Sequence, residues 1–289
     1  MTQSDLSAAI AALPPLRDVI ADAGLRADKR LGQHFLLDLN LTSRIARTAG
    51  DLSRGTVIEV GPGPGGLTRA LLSAGAAHLI AIEKDPRCLA ALAPVVDAAG
   101  GALTVIEGDA TKIDFSTLGE PPYTIVANLP YNVGTPLLIG WLTGETPVTS
   151  LTLMFQKEVA DRITARPGES AYGRLSVIAN WRCETTYDFT VPARAFTPPP
   201  KVDSAIVTLR PYDTPPYDGD IRVLEKVTAA AFGQRRKMLR QSLKSLGLDV
   251  AVLLEKAGLD GTVRAEEVDI AGYGRLAAAV TGTSLRAAP

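Results

Sequence analysis

Short apolar runs that alternate with helical segments constrain the fold of this chain more than any other feature. Four such runs, rich in Val and Ile, occupy Thr56–Val60, His78–Ile82, Leu103–Ile106 and Tyr123–Ala127. Their apolar and polar residues barely alternate, which is typical of strands buried on both faces, and the intervening helices imply parallel pairing. The sequence therefore predicts an α/β fold built around a mostly parallel sheet.

Three later runs extend the predicted sheet. They are Ser150–Phe155, Ser176–Asn180 continuing to about Thr190, and Ser204–Arg210. Between the last two lies Pro192–Pro200, which is too short and too rich in proline for a crossover helix. These two strands are therefore predicted to pair antiparallel, with an antiparallel last strand in the sheet.

A change in composition at Pro211–Asp220, which carries two consecutive prolines and several aspartates, predicts a linker. We place a first domain at residues 1–212, including a helical N-terminal extension at 1–30, and a small helical domain at 213–289. A chain of 289 residues suits one large and one small domain.

Composition excludes several classes of protein. No apolar run is long enough to cross a bilayer, and the N-terminus lacks the pattern of a secretory signal. Cys88 and Cys183 have no metal-ligand spacing, so we expect reduced, buried thiols in a cytoplasmic protein without a metal site. A net charge of −1 means that any RNA-binding surface must be a local patch.

A glycine loop joins the first of these strands to a helix. It runs through Val57–Thr68 and contains Gly61 and Gly63. Glycines allow a tight turn and let a ligand approach the backbone closely. A dinucleotide-binding protein, or a turn with no ligand, would show a similar loop, so this feature needs support from its neighbours.

Carboxylates at successive strand ends favour a methyltransferase over a dehydrogenase. Glu59 lies just before the glycine loop, Glu83 follows the second strand, and Asp109 follows the third. Parallel strands end along one edge of a sheet, where ligands bind. Glu83 could accept both hydroxyls of a ribose, and Asp109 could accept from an adenine amino group. Any one of them could be a solvated loop residue, but the set in register indicates a cofactor site for S-adenosylmethionine.

The fourth strand ends in a loop made of Asn128, Leu129, Pro130 and Tyr131. The amino nitrogen of adenine is a poor nucleophile, because its lone pair is delocalised into the ring. Carbonyl oxygens of Asn128 and Leu129 would stabilise the positive charge that this nitrogen gains when it attacks a sulfonium methyl group. Pro130 makes the turn rigid, and Tyr131 offers a face for base stacking. A capped proline turn without function is the alternative interpretation.

Three further motifs, together with the preceding ones, resemble a known family. They are residues Lys29–Leu36 (KRLGQHFL), Phe196–Ser204 (FTPPPKVDS) and Phe232–Arg240 (FGQRRKMLR). Over nearly its whole length the chain is similar to the bacterial small-subunit rRNA adenine dimethylases. The resemblance implies a Rossmann-like methyltransferase sheet, and N6,N6-dimethylation of two adjacent adenosines near the 3′ end of 16S rRNA. It also implies action on a small-subunit precursor during ribosome assembly, by a monomer that converts S-adenosylmethionine to S-adenosylhomocysteine.

The resemblance also assigns roles to individual residues. It implies a cofactor site formed by Gln33, His34, Leu36, Gly61, Gly63, Glu83, Asp109 and Asn128. Phe196 is expected to help hold the target base. Many members have Asn where this chain has His34, and a neutral imidazole can still donate or accept a hydrogen bond there.

A basic run predicts the RNA-binding surface. Arg236, Arg240 and Lys244 recur every four residues and would share one helix face, which Arg235 and Lys237 broaden. The run is almost free of acidic residues in a chain of balanced charge, which favours contacts with phosphates over a merely solvated face. Basic residues at positions 26, 29 and 30 are expected to extend the same surface.

Two other functions remain open from the sequence. One is the related family that methylates an adenosine of 23S rRNA and confers macrolide resistance. The long C-terminal helical region and the Phe196–Ser204 motif argue against it. The other is an assembly factor that binds the subunit without catalysis, which intact Asn128 and Tyr131 argue against.

Overall fold

The computed structural model describes residues 2–28, 32–144 and 146–282. Its strands are β1 (Phe35–Leu36), β2 (Thr56–Val60), β3 (Leu79–Glu83), β4 (Leu103–Glu107), β5 (Tyr123–Asn128), β6 (Val148–Gln156), β7 (Cys183–Val191), β8 (Phe196–Thr197) and β9 (Ser204–Pro211). Its α-helices are α1 (Gln3–Ala11), α2 (Leu16–Asp22), α3 (Leu39–Thr48), α4 (Gly66–Ser73), α5 (Pro86–Ala99), α6 (Gly134–Thr143), α7 (Lys157–Thr164), α8 (Arg174–Arg182), α9 (Ile221–Gly233), α10 (Leu239–Ser242), α11 (Val250–Ala257) and α12 (Ile270–Thr281). The alternation of strands and helices through β6 agrees with the predicted α/β class.

Seven strands form the main sheet in the order β4-β3-β2-β5-β6-β9-β7, and β1 pairs antiparallel with β8 in a separate two-stranded sheet. The pairs β2–β3, β2–β5, β3–β4 and β5–β6 are all parallel. The first four predicted strands are therefore confirmed, each to within one residue at either end. Their carboxyl ends meet at one edge of the sheet, as the positions of the carboxylates required.

The chain forms two compact units. The sheet unit contains the described residues up to Ala160 together with Tyr187–Thr208. The helical unit contains Asp161–Thr186 and the described residues from Leu209 onward. A single linker at Pro211–Asp220 does not predict this discontinuous division, because the segment 161–186 has no unusual composition at its ends.

The segment Ser176–Asn180 is a helix, and the prediction of a strand there was wrong. It lies inside α8, and β7 begins only at Cys183. The whole segment is buried, and Val177 packs in the core of the helical unit. A short apolar run buried on all sides has no period that distinguishes a helix from a strand, so the surroundings decide.

The basic run 235–244 is not one continuous helix. Helix α9 ends at Gly233, residues 234–237 form a turn, α10 begins at Leu239, and a 3-10 helix follows it. Backbone N–H groups of Leu239 and Arg240 donate to Val263 and Gly261 at 2.7 and 3.0 Å. Pairing with this second segment replaces helical hydrogen bonds, so the predicted alignment on one helix face was wrong. Leu239 and Leu243, which lie between these basic residues in the sequence, are fully buried.

The core of the sheet unit includes the N-terminal extension. Leu6 and Ile10 of α1 lie in the same apolar cluster as residues of α4 and α5. Cys88 and Cys183 are free and buried, as predicted, and burial raises the pKa of both thiols to about 12. Within the described ranges, no helix combines the length and apolar character needed to cross a bilayer.

Two glycines in helices of the sheet unit should respond oppositely to alanine. A Cβ on Gly66 would lie 2.8 Å from the carbonyl oxygen of Leu36 and 3.1 Å from Leu16, whereas Gly140 in α6 has open space. We expect Gly66→Ala to lower the free energy of unfolding by about 1–3 kcal/mol, because backbone must move. Gly140→Ala should raise it by about 0.5–1 kcal/mol.

Urea unfolding of the two variants measures both effects, and the wild-type protein is the common reference. Equal or same-sign changes would contradict the close approach of α4 to the segment that carries Leu36.

Candidate active site

The glycine loop between β2 and α4 forms one wall of a pocket. Its residues Gly61 and Gly63 adopt φ values of +71° and +55°, in the region that favours glycine. A Cβ on Gly61 would lie 3.7 Å from the ring of Pro130, so the loop lies directly beside the turn that ends β5. The two motifs that the sequence places 60 residues apart thus line the same cavity.

The Glu83 carboxylate is fixed in the pocket by backbone donors. Its Oε2 accepts from the Gly63 N–H at 3.0 Å, and its Oε1 accepts from the N–H groups of Lys84 and Asp85 at 2.8 Å each. Burial raises its pKa, and these three hydrogen bonds oppose that effect. A ligand hydroxyl would therefore meet a carboxylate whose orientation is already set by the end of β3 and the glycine loop.

Asp109 follows β4 on the same edge and is also held in place. Lys84 Nζ donates to its Oδ2 at 2.8 Å, and the Thr111 hydroxyl and N–H donate to its Oδ1. The hydrogen bond from Lys84 is the main reason that the pKa of Asp109 lies well below its usual range. The side chain of Lys84 is 61% exposed, so a ligand can displace it at little cost.

Glu59 also lines the pocket and is 1% exposed. The Thr68 hydroxyl of α4 donates to its Oε2 at 2.7 Å. Burial raises the pKa of Glu59 to about 8, Thr68 lowers it, and the nearby negative charge of Glu83 raises it. Near neutral pH the two buried carboxyl groups therefore differ: Glu59 holds a proton, while backbone donors favour the ionised form of Glu83.

The loop Asn128–Tyr131 also lines the pocket. Asn128 is the last residue of β5, and its backbone is in register with Met154 of β6. Pro130 accepts backbone hydrogen bonds from Val133 and Gly134 at 3.1 Å, which closes the turn into α6. The Tyr131 hydroxyl lies 2.7 Å from Ser204 Oγ. Asn128, Leu129, Pro130 and Tyr131 thus lie together at the end of one strand and line the pocket.

Residues of the Lys29–Leu36 motif complete the pocket. His34 Nδ1 lies 2.7 Å from the carbonyl oxygen of Pro198, so it donates to that oxygen and leaves Nε2 as the acceptor. Gln33 lines the pocket, but its amide donates to Asp85 at 2.8 Å and accepts from the Asp28 N–H at 2.9 Å. Gln33 therefore holds the segment in place. Positions 29–31 of this motif lie outside the described residues.

Phe196 does not line the pocket. It is 3% exposed, belongs to the core cluster of the sheet unit, and is paired with Leu36 in the β1–β8 sheet. Its ring packs edge-on to His34, with ring centroids 6.5 Å apart. The ring that the sequence assigned to the target base thus lies one layer behind the pocket wall.

The structure brings together every residue that the sequence assigned to the cofactor. Gln33, His34, Leu36, Gly61, Gly63, Glu83, Asp109 and Asn128 all line the pocket, as do Leu129, Pro130 and Tyr131. Among the described residues, no group of three or more His, Cys, Asp or Glu side chains is arranged to hold a metal ion.

Sequence reasoning missed Asp85, Lys84 and Ser204. Asp85 caps the N-terminus of α5, and the hydrogen bond from Arg87 is the main reason that its pKa falls to about 2. The pair Asp85-Pro86 is a recognisable helix start. Nothing in the local sequence indicates the partners of the other two.

Comparison with known proteins identifies a family. The model of the ribosomal RNA adenine dimethylase family matches residues 24–281. A ribosomal RNA small subunit methyltransferase A of Rhodospirillum rubrum is 59% identical over 268 residues, which cover 93% of each chain. The protein of the same name from Xanthobacter autotrophicus is 61% identical, over 92% of this chain and 93% of the relative.

Solved structures agree with this comparison. A dimethyladenosine transferase from Plasmodium falciparum superposes with a TM-score of 0.72 at 27% identity, covering 84% of this chain and 96% of its own. The 23S rRNA methyltransferase ErmE superposes with a TM-score of 0.65, also at 27% identity, covering 86% and 99%. Both support the methyltransferase fold.

The buried Glu59 should make stability depend on pH. Its pKa is about 8 in the folded protein, against an ordinary value of 4.5. Between these values the unfolded chain releases a proton that the folded chain keeps, so this group destabilises the fold increasingly as pH rises from 5 to 8. We expect Glu59→Gln to remove this contribution, and to gain stability relative to wild type by a few kcal/mol over that interval.

Urea unfolding at pH 5, 6, 7 and 8, without ligand, measures this difference. The matched control is Glu107→Gln, at the exposed end of β4, which should leave the slope of wild type unchanged. Parallel pH profiles for wild type and Glu59→Gln would refute the proton on Glu59.

Proposed function

The chain belongs to the ribosomal RNA adenine dimethylase family, and on this premise we propose a substrate and a reaction. It uses S-adenosylmethionine to dimethylate N6 of two adjacent adenosines near the 3′ end of 16S rRNA, in a small-subunit precursor. The observation that carries the proposal is the loop Asn128–Tyr131, which lines the same pocket as Glu83 and Asp109. We further propose that it acts as a monomer in the cytoplasm, where ribosomes assemble.

The pocket suits the proposed cofactor. S-adenosylmethionine supplies a methyl group on a sulfonium centre and leaves as S-adenosylhomocysteine. The fixed Glu83 carboxylate is suited to accept from its ribose hydroxyls, and Asp109 from its adenine amino group. Gly61 and Gly63 allow close approach along the loop, and Leu36 adds an apolar lining residue. His34 offers Nε2 as an acceptor, while its Nδ1 is held by Pro198.

The target adenine is activated by hydrogen-bond acceptors rather than by a residue that removes its proton. We assign the Asn128 side-chain carbonyl and the Leu129 backbone carbonyl to the two N–H groups of the adenine amino nitrogen. These oxygens stabilise the positive charge that develops as the N–C bond forms and the C–S bond breaks. The methylated nitrogen then loses its proton to water. Pro130 keeps both oxygens in place, since its fixed φ and the bonds to Val133 and Gly134 hold the turn.

Tyr131 supplies the stacking face for the flipped adenine. Its ring lies 5.8 Å from the ring of His34, at 31°. We assign Phe196 an indirect role: its buried ring supports His34 edge-on and so holds the base site from behind.

The RNA-binding surface is proposed in the helical unit. Arg236, Lys237, Arg240 and Lys244 are exposed there. Arg264 is also exposed and joins them, because its backbone forms an antiparallel β-bridge with Met238. Arg235 differs, since it is paired with Glu266 at 2.5 Å and donates to the Ser170 carbonyl. We therefore assign Arg235 to the fold of this surface, and the others to phosphates.

Two alternatives make different predictions. A 23S rRNA methyltransferase would share the pocket, and the superposition with ErmE keeps this option in view. The relatives at 59% and 61% identity are named for the small subunit, which supports 16S rRNA. A non-catalytic assembly factor would not need the acceptor geometry of Asn128 and Leu129.

A complementation experiment tests both the substrate and the role of Asn128. The protein is expressed in a bacterial strain that lacks its own 16S rRNA dimethylase. We expect wild type to restore both dimethylated adenosines, read by primer extension across 16S and 23S rRNA. Asn128→Ala should lower methyl transfer about 100-fold or more, because one charge-stabilising acceptor is lost. Its affinity for S-adenosylmethionine, measured by calorimetry, should change little.

Each outcome separates the alternatives. A new stop in 23S rRNA, with 16S rRNA unmodified, would select the macrolide-resistance type. Near-normal turnover by Asn128→Ala would refute its role, and calorimetry with NAD is the control for a dehydrogenase pocket.

The proposed phosphate contacts predict a change in salt dependence. We expect the double variant Lys237→Ala/Arg240→Ala to bind small ribosomal subunits more weakly and to reduce the slope of log K against log[salt] by about two, one for each lost contact. Lys226→Ala, on the exposed face of α9, is the matched control and should leave the slope unchanged. An unaltered slope in the double variant would place the RNA elsewhere.

A further inference from the structure

The Phe196–Ser204 motif contacts the Asn128–Tyr131 loop through one buried hydroxyl. Ser204 is the first residue of β9, is fully buried, and lies 2.7 Å from the hydroxyl oxygen of Tyr131. Ser204 follows Tyr131 by 73 residues, so only the fold brings them together. Burial raises the pKa of Tyr131, so the phenol keeps its proton. Either hydroxyl can therefore donate the hydrogen bond between them.

The segment that ends at Ser204 is itself held at several points. Thr197 is in register with Phe35 in the β1–β8 sheet, and the Pro198 carbonyl accepts from His34. The Asp203 carboxylate accepts from the Ala193 N–H at 2.9 Å. The backbone carbonyl of Asp203 accepts from the backbone N–H of Lys157, also at 2.9 Å. Ser204 is therefore a fixed point rather than a mobile partner.

Fixing the hydroxyl constrains the tyrosine in a specific way. The Tyr131 oxygen lies on the axis through Cβ and the ring, so a hydrogen bond there fixes the direction of this axis but not rotation about it. Rotation is limited instead by the His34 ring, 5.8 Å away and tilted by 31°. Two contacts thus define the ring, one for its axis and one for its plane.

We propose that Ser204 is a positioning residue for methyl transfer: it holds the Tyr131 ring in the orientation on which the target base stacks. The inference rests on the proposed function, since it assigns the Tyr131 face to the base. Ser204 does not touch the base. A ring free to swing by a small angle would still bind RNA but would present the amino nitrogen less often to the acceptors of the Asn128 loop.

A double-mutant cycle tests this role. The variants are Ser204→Ala, Tyr131→Phe and the two combined, assayed on small subunits from a dimethylase-deficient strain. Each single change should lower kcat about three- to tenfold, the range expected for one hydrogen bond, with the KM for S-adenosylmethionine within twofold of wild type. The combined variant should be no slower than the slower single variant, because both changes remove the same bond.

The control comes from the same strand. Thr208 of β9 is also buried, and its hydroxyl donates to Asp188 at 2.7 Å. Thr208→Val removes a comparable hydroxyl, and whatever effect it has should multiply with that of Tyr131→Phe. If the reductions in kcat caused by Ser204→Ala and Tyr131→Phe multiply in the combined variant, the proposal is overturned. A Tyr131→Phe variant with the kcat of wild type would overturn it as well. The second test holds even if Ser204→Ala fails to fold.

Failure of the underlying function has a different signature. If wild type transfers no methyl group to 16S rRNA, the proposed function fails before the cycle begins. If wild type is active and the cycle is multiplicative, only the role of Ser204 is lost.

Discussion

Parallel pairing of β2 with β3 and β5 is the constraint on which the site depends. Val60 is in register with Ile82, and Ile58 with Ile125, so three strands end side by side. This register places the glycine loop between Glu83 and Asn128. A shift of one residue would turn every side chain to the other face. Apart from the partly buried Ile80, the apolar residues of these strands are buried, and their burial therefore fixes the position of the polar residues that follow them.

The strand ends bring two buried carboxyl groups close together, and the fold gives them unequal numbers of hydrogen bonds. Glu59 and Glu83 are both buried and both negative when ionised, and two such charges cannot share an apolar site at low cost. Glu83 has three backbone donors, whereas Glu59 has one hydroxyl from Thr68. The difference favours the charge on Glu83, which accepts from the Gly63 N–H of the glycine loop, and the proton on Glu59.

The sequence predicted what depends on local pattern. Runs such as Thr56–Val60 and Tyr123–Ala127 were located almost to the residue, because length, β-branching and flanking turns agreed. It failed where distant segments decide. Ser176–Asn180 becomes helical inside a buried cluster, and Leu239 and Arg240 hydrogen-bond to Val263 and Gly261 rather than continuing a helix. The pocket residues followed from strand ends and from resemblance, but their partners, such as Pro198 for His34, required the fold.

The Phe196–Ser204 motif shows why family resemblance predicted the site better than hydrophobic periodicity did. Its prolines form no regular element long enough to carry a pattern, and its ring at Phe196 is buried rather than presented to a ligand. Its contribution lies in three attachments: strand pairing with β1, the carbonyl under His34 and the hydroxyl beside Tyr131. Each attachment ends on a residue of the pocket wall. A motif that contributes by holding others leaves no chemical signature of its own, so its residue types make physical sense only once their partners are known.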